Sequence, residues 1–133
     1  ALRGRGLQQA TVITPHPLEA ARLLKTDTAS IQSNRLQAAR DLAALFDCVV
    51  VLKGSGSVIA APGQTPRINT SGNGRLAIGG TGDVLAGLIG ARLAKGLNAF
   101  DATCAAVHQH GQVADDWPAG QSLTASQLAQ ALY

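Results

Sequence analysis

Short apolar runs alternate with stretches of helical periodicity along this chain. Residues 48–52 form a continuous apolar run of strand length, which is typical of a strand buried on both faces of a parallel sheet. Further short strands are predicted at residues 11–14, which are β-branched, and at residues 57–61 and 67–69. No run approaches the roughly 20 apolar residues that a membrane span requires, so no membrane association is expected.

Helical spacing predicts helices between and after these strands. In one of them Leu36, Ala39 and Ala43 form an apolar stripe opposite polar positions, so this helix is expected to cover a sheet. In the helix that begins at Thr81, Val84, Leu88 and Ala91 are the expected stripe, and Gly90 is expected to permit close packing. The predicted helices cover residues 18–24 after Pro17, 33–46, 81–95, a segment from the cap Asn98 to about 115, and a last segment with Thr124 and Gln127 as capping box.

Strands that alternate with helices predict a layered α/β/α domain with a mostly parallel sheet. In such sheets, ligands bind beyond the carboxyl ends of the strands. Three irregular segments follow predicted strands, at residues 14–16, 53–57 and 69–83. We therefore expect these segments to converge on one edge of the sheet.

Composition and charge indicate which partners and which cellular compartment to expect. Of the 133 residues, 46% are apolar and only 14% are charged, so some apolar surface is expected to be covered by a partner or by further chain. The net charge of +3 comes from scattered basic residues, and few aromatics are present, so nucleic acid is not an expected partner. Cys48 and Cys104 lie far apart among apolar residues, which favours free thiols in a reducing compartment, the cytoplasm.

The most informative segment is residues 79–83, Gly-Gly-Thr-Gly-Asp, at the start of an apolar helix. Its glycines let a ligand approach the backbone, and the helix start presents N–H groups that stabilise an anion. In the first turn, Asp83 is placed to deprotonate a hydroxyl that attacks a phosphoryl group. The alternative is that Asp83 only caps a helix.

Residues 53–57, Lys-Gly-Ser-Gly-Ser, follow the apolar strand and contain one cation, two hydroxyls and two glycines. This composition suits the phosphate or ribose of a nucleotide. The alternative is a tight turn with a solvated lysine.

Histidines and the remaining polar residues carry weaker indications. His16 lies between two prolines and either faces a ligand or caps the next helix, with Glu19 in that helix's first turn. His108 and His110 lie two residues apart on a predicted helix, so they cannot chelate one metal ion, and no protein metal site is predicted. Asp115 is expected to be a solvated helix end.

Residues 14–24, 50–59 and 79–87 together resemble the ATP/ADP-dependent NAD(P)H-hydrate dehydratases, a branch of the ribokinase-like superfamily. The three motifs occur in the family's order, and the similarity covers nearly all of the chain. The resemblance implies a ribokinase-like fold. Because family domains are longer, it also implies that residues 1–133 are the carboxyl-terminal part of a truncated domain.

The resemblance further implies a repair reaction in which hydrated NADH or NADPH is dehydrated and ADP or ATP is consumed, with Mg²⁺ on the nucleotide phosphates. The substrate would be phosphorylated on its ring hydroxyl and would then lose phosphate. His16 and Asp83 would contact the hydrated nicotinamide, with Asp83 as the catalytic residue. The implied nucleotide contacts are Lys53, Gly54, Ser55, Gly56, Ser57 and Gly82, and the implied anion hole is Gly80, Thr81 and Gly82.

Two departures from the family pattern and two rival functions remain. Leu18 stands where the family usually has glycine, and Gly74 and Arg75 replace a usual Pro-Gly. The rivals are a ribokinase-like kinase of a sugar or a hydroxymethyl-pyrimidine, and a non-catalytic nucleotide-binding module. A bare sheet edge is also expected to favour a homo-oligomer.

Overall fold

A computed structural model describes residues 12–76, 80–96 and 98–132. The chain divides into two compact units, Ala1–Ile68 and Asn69–Tyr133, which are described separately. The first unit contains β1 (Val12–Ile13), α1 (Pro17–Leu24), α2 (Thr28–Ser33), α3 (Arg35–Phe46), β2 (Val49–Leu52), β3 (Val58–Ala60) and β4 (Arg67–Ile68). The second contains a short 3₁₀ turn (Gly74–Leu76), α4 (Thr81–Ala94), α5 (Ala99–Asp116) and α6 (Ala125–Leu132).

The described strands form one sheet in the order β1-β2-β3-β4. β1 runs parallel to β2, with Val12 opposite Val49, whereas β2 with β3 and β3 with β4 pair antiparallel. The predicted α/β class is confirmed, but the pairing of these strands is mixed rather than mostly parallel. Only residues 53–57 separate β2 from β3, and a parallel return needs a crossover of about a dozen residues or more.

All four residues of β2 are buried, as its apolar run predicted. Val50 and Leu52 pack in one cluster with residues of α1 and α3, among them Ala20 and Leu42, so both helices cover this face of the sheet. Burial, together with the nearby charge of Asp47, raises the pKa of the Cys48 thiol. This cysteine therefore stays a protonated core residue.

The helix predicted at residues 33–46 is α3, which begins two residues later than expected, at Arg35, because Ser33 ends the preceding helix α2. Asn34 separates α2 from α3 and caps α3 by accepting a hydrogen bond from the Gln37 N–H at 3.2 Å. Leu36 is 39% exposed, so it was wrongly placed on the apolar stripe, whereas Ala39 and Ala43 are buried as expected. The short α2 was not predicted because only Ile31 of its residues is buried.

In the second unit, α4, α5 and α6 pack on one another. The caps predicted from sequence are confirmed: Asn98 accepts from N–H groups of α5, and the Thr124 and Gln127 side chains form the capping box of α6. The stripe of α4 was partly wrong, because Ala91 is exposed and the buried residues are Thr81, Leu85, Leu88 and Ile89. No helix within the described residues is long and apolar enough to cross a membrane.

Asp27 provides a test of how the first unit responds to pH. It caps α2 by accepting from the Ser30 N–H at 2.8 Å, and the Ser30 backbone and hydroxyl hold the pKa of this carboxyl below its usual value. Its stabilisation is therefore present above the unfolded-state pKa of about 3.9 and is lost as the pH falls through the folded-state value. Asp27→Asn, which keeps a cap but removes the charge, is expected to be less stable than wild type at neutral pH and equally stable in acid.

Urea unfolding at a series of pH values measures this difference. Asp41→Asn on α3 is the matched control, because it removes an exposed carboxylate that is not a helix cap. A wild-type advantage that stays constant down to strongly acidic pH would contradict the assignment.

Candidate functional site

The ends of β1 and β2 lie side by side. The Lys53 N–H donates to the Pro15 carbonyl at 2.9 Å, which brings residues 14–16 next to the start of the loop formed by residues 53–57, called loop 53–57 below. The prediction that these two segments meet is confirmed. Residues 69–83 belong to the other unit, and their approach to this edge stays a prediction.

His16 is the N-cap of α1. Its Nδ1 accepts from the Glu19 N–H at 3.2 Å, and Glu19 Oε1 accepts from the His16 N–H at 3.0 Å, which completes a capping box. Because Nδ1 accepts, a neutral ring carries its proton on Nε2, which lies 3.2 Å from Glu19 Oε1. Both side chains remain 50% exposed. The capping alternative is thus realised, and contact with a substrate stays a prediction.

Loop 53–57 is folded around a side chain of α3 that the sequence pattern did not single out. The guanidinium of Arg35 on α3 donates to the carbonyls of Leu52, Lys53 and Gly56 at 3.2–3.4 Å. Burial lowers the pKa of this guanidinium, although arginine remains charged. The Arg35 contacts span 17 to 21 positions along the chain, which local patterns do not reveal.

The glycines of loop 53–57 have conformations that other residues rarely adopt. Gly54 has φ 148° and Gly56 has φ 69°, and a β-carbon on Gly54 would lie 2.9 Å from both terminal nitrogens of Arg35. The Ser57 hydroxyl donates to the Gly54 carbonyl at 3.1 Å and closes the loop. Lys53 is half-buried and Ser55 is exposed. The loop is therefore a pre-shaped backbone turn with a cation and a hydroxyl at its surface.

Helix α4 begins directly after a glycine N-cap. Gly80 has φ 91° and offers no side-chain cap, so the positive end of the helix dipole is left to other groups. Thr81 is anchored twice, since its hydroxyl donates to the Leu76 carbonyl at 2.7 Å and its carbonyl lies 2.9 Å from His110 Nε2. Asp83 is exposed in the first turn. Gly79, which completes the motif, lies outside the described residues.

The segment before α4, residues 69–76, is fastened to α5, and we call it the strap. The Ser71 hydroxyl donates to the His108 carbonyl at 2.8 Å. Asp115 accepts from the Gly72 N–H at 2.9 Å and from the Asn73 side chain at 3.2 Å. The expectation that Asp115 is merely a solvated helix end was therefore wrong, because its carboxylate binds the strap.

Arg75 accounts for one of the two departures from the family pattern. Its guanidinium donates to the carbonyls of Ala114, Pro118 and Gln121 at 3.0–3.3 Å. The strap therefore keeps a defined shape without the usual proline, because a side chain ties it to the end of α5 and to the connection that leads to α6.

Gly111 is a further residue that the sequence analysis missed. It lies buried inside α5 where the strap crosses, and a β-carbon there would lie 2.6 Å from the Ser71 carbonyl carbon and 2.7 Å from the Gly72 nitrogen. A glycine in the middle of a helix lowers the stability of that helix. A buried glycine at such a position therefore indicates that another backbone segment packs closely there. By contrast, Gly90 is exposed, and within the described residues no atom lies within 4 Å of such a β-carbon, so the packing role predicted for Gly90 was wrong.

The described residues contain no group of three or more His, Cys, Asp or Glu side chains able to hold a metal ion. His110 is buried against Thr81, whereas His108 is exposed, in agreement with their predicted positions on different faces. Among the described residues, loop 53–57 offers backbone N–H groups, the Lys53 ammonium and the Ser55 hydroxyl, and the start of α4 offers N–H groups and the exposed Asp83 carboxylate.

Comparison with known proteins points to one family. A family model described as NAD(P)H-hydrate dehydratase matches residues 4–133. The chain is 45% identical over 118 residues to an ADP-dependent (S)-NAD(P)H-hydrate dehydratase of Neisseria meningitidis, covering 89% of this chain and 40% of that protein. It is 50% identical over 104 residues to a bifunctional NAD(P)H-hydrate repair enzyme of Escherichia coli, covering 78% of this chain and 20% of that protein.

Solved structures agree with the sequence comparison. An ADP/ATP-dependent NAD(P)H-hydrate dehydratase of Bacillus subtilis, co-crystallised with ATP and Mg²⁺, superposes with a TM-score of 0.83 at 35% identity, covering 99% of this chain and 50% of that one. A ribokinase-like superfamily protein of Enterococcus faecalis gives a TM-score of 0.77 at 33% identity over 91% of this chain and 42% of that one. The chain thus spans half or less of the length of these relatives.

The contact between the strap and α5 yields a matched pair of substitutions. Gly111→Ala is expected to lower the free energy of unfolding by about 1–3 kcal/mol, because the added methyl group overpacks a backbone contact. Gly90→Ala makes the same change in an exposed helix interior and is expected to raise it by up to about 1 kcal/mol. Urea denaturation of both variants measures the difference, and a stabilising Gly111→Ala would show that the strap does not pack on α5.

Proposed function

The chain belongs to the NAD(P)H-hydrate dehydratase family, and from that membership we propose that it forms the carboxyl-terminal part of an enzyme that dehydrates hydrated NADH or NADPH with ADP or ATP as co-substrate. The proposal makes residues 1–133 one portion of a ribokinase-like domain. It concerns nucleotide repair in a reducing compartment, the cytoplasm.

One observation carries the proposal: two glycine-rich turns have backbones fixed by contacts behind them. Arg35 holds loop 53–57 from one side. Thr81 Oγ1 and the strap contacts hold the approach to α4. Fixed N–H groups at such turns bind phosphate well because they need no reorganisation when the anion arrives.

The proposed roles follow the family motifs. Substrate contacts are His16 and Asp83. Nucleotide contacts are Lys53, Gly54, Ser55, Gly56, Ser57 and Gly82, and the anion hole is formed by the N–H groups of Gly80, Thr81 and Gly82.

In the proposed reaction, the exposed carboxylate of Asp83 accepts the proton of the ring hydroxyl. The hydroxyl oxygen then forms a bond to the terminal phosphorus of the nucleotide, and the bond from that phosphorus to the departing nucleotide breaks. Backbone N–H groups at the start of α4 stabilise the negative charge on the transferred group. Breakage of the ring C–O bond expels phosphate, and loss of a proton from the neighbouring carbon restores the double bond.

Mg²⁺ fits this scheme as an ion carried by the nucleotide. The described residues supply no cluster of carboxylates for it, and Mg²⁺ commonly binds through phosphates and water with few protein ligands. When bound, it would neutralise phosphate charge. The proposal also includes a homo-oligomer, and sedimentation over a range of protein concentrations tests it.

Asp83→Asn tests the catalytic role. In the complete gene product, dehydration of hydrated NADH is expected to fall by about 100-fold or more, since a positioned base contributes that much. ADP affinity is expected to stay close to wild type, because backbone N–H groups are unchanged. Recovery of the near-ultraviolet absorbance of NADH measures turnover, and Asp116→Asn is the control for an exposed carboxylate of the same unit.

Two results of this assay would redirect the proposal. A phosphorylated product that accumulates without losing phosphate would identify a small-molecule kinase. Unchanged biological activity of Asp83→Asn would identify a non-catalytic nucleotide-binding module.

His16→Asn separates the two functions of His16. Asparagine is among the best N-caps, so the stability of α1 is expected to be retained, whereas the lost imidazole is expected to raise the KM for the hydrated substrate. Steady-state kinetics, with thermal unfolding as the stability readout, measures both. Glu19→Gln, which keeps the reciprocal cap, is the control, and an unchanged KM in His16→Asn would limit His16 to capping.

A further inference from the structure

The guanidinium of Arg35 contacts both ends of loop 53–57. It meets the Leu52 and Lys53 carbonyls at 3.2 and 3.4 Å where the chain enters the loop, and the Gly56 carbonyl at 3.4 Å where it leaves. Its other terminal nitrogen donates to Gln32 Oε1 at 2.8 Å, which fixes the plane of the group. The guanidinium thus closes the loop from the side of α3.

Arginine is suited to this position in a way that lysine is not. One terminal nitrogen, Nη2, meets all three carbonyls while Nη1 donates to Gln32, and a planar guanidinium can serve both at once, whereas an ammonium is a single compact charge. The carbonyls are part-buried, so leaving them without a hydrogen-bond donor would destabilise this conformation of the loop. Gly54 completes the arrangement, because its φ of 148° is one that other residues rarely adopt and a β-carbon there would crowd the guanidinium at 2.9 Å.

The direction of these carbonyls determines the direction of the N–H groups in the same peptides. In a trans peptide the C=O and N–H bonds point in opposite directions, and no peptide bond within the described residues is cis. The Leu52 carbonyl faces Arg35, and the Lys53 N–H of that peptide donates to Pro15 on the other side. By the same geometry, the N–H groups of Gly54 and Ser57 are directed away from Arg35.

We propose that Arg35 is a positioning residue that holds loop 53–57 in the shape that receives the nucleotide phosphates. By turning carbonyls toward α3, it presents N–H groups on the opposite side of the loop, where an anion can bind. Arg35 does not touch the nucleotide itself. This inference rests on the proposed function, because the loop is its nucleotide contact.

Arg35→Ala tests the proposal with two independent readouts. Limited trypsin digestion reports loop opening, because trypsin cuts after Lys53 within the loop, and the rate of this cut is expected to rise about tenfold or more when the anchoring bonds are lost. The dissociation constant for ADP, measured by calorimetry on the complete gene product, is expected to rise by a similar factor. Arg40→Ala, an exposed arginine of the same helix, is the control and is expected to match wild type in both.

Further variants keep the test decisive if Arg35→Ala does not fold. Arg35→Lys is expected to lie between wild type and alanine, because a single ammonium cannot both meet the loop carbonyls and keep the bond to Gln32 that fixes the guanidinium. Gly54→Ala is also expected to speed the cut at Lys53, because a β-carbon strains the φ of 148° and crowds the guanidinium. Guanidinium ion at a non-denaturing concentration is expected to restore ADP affinity to Arg35→Ala and to leave Arg40→Ala unchanged.

Cut rates and ADP affinities of the Arg35 variants equal to those of Arg40→Ala would overturn the inference. A loosened loop with wild-type ADP affinity would also overturn it, because the loop shape would then not matter to the nucleotide. Failure of the wild type to bind ADP would instead contradict the proposed function, and the cut at Lys53 would still decide whether Arg35 holds the loop.

Discussion

Peptide groups just beyond the end of a strand, or at the start of a helix, lack the hydrogen-bond partners that regular secondary structure provides. A buried peptide group without a partner lowers the stability of the fold. This constraint shapes loop 53–57 in the first unit and, separately, the strap in the second unit. Arg35 pairs the carbonyls that face α3 in loop 53–57, and Asp115 pairs the Gly72 N–H of the strap before α4. Because the two polar ends of a peptide group point in opposite directions, pairing one end also fixes where the other end points.

Much of the local structure was predictable because its causes lie close together in sequence. The buried strand β2, the caps of α5 and α6 and the position of Pro17 each depend on a few neighbouring residues. The two glycine turns were likewise recognised from composition. Their chemistry could be proposed for the same reason, because glycines, a helix start and a first-turn carboxylate stand side by side in the chain.

The supports behind these turns could not be predicted, because they join residues far apart in the chain. Arg35 has the sequence context of any charged residue on a helix surface, and only the fold brings it to loop 53–57. Gly111 was hidden for the same reason, since its backbone neighbour is Ser71. The mixed sheet was predictable in principle, because residues 53–57 are too short for a parallel return.

His16 shows how one residue can serve stability and chemistry together. Its Nδ1 is committed to capping α1, and its Nε2 lies beside Glu19 with half of the side chain exposed. The cap holds the ring in one orientation and one tautomer, which is what a substrate contact requires. A sequence that places a histidine where Ser, Asp or Asn would cap equally well is therefore consistent with a second role.

The backbone N–H groups of loop 53–57 are proposed to bind the nucleotide phosphates. Titration of ADP into isotopically labelled protein, followed by amide NMR shifts, tests this most directly. The amide signals of Gly54 and Ser57 are expected to shift and to saturate with ADP, and to need more ADP in Arg35→Ala. Signals of Gly54 and Ser57 that stay unchanged at saturating ADP would contradict it.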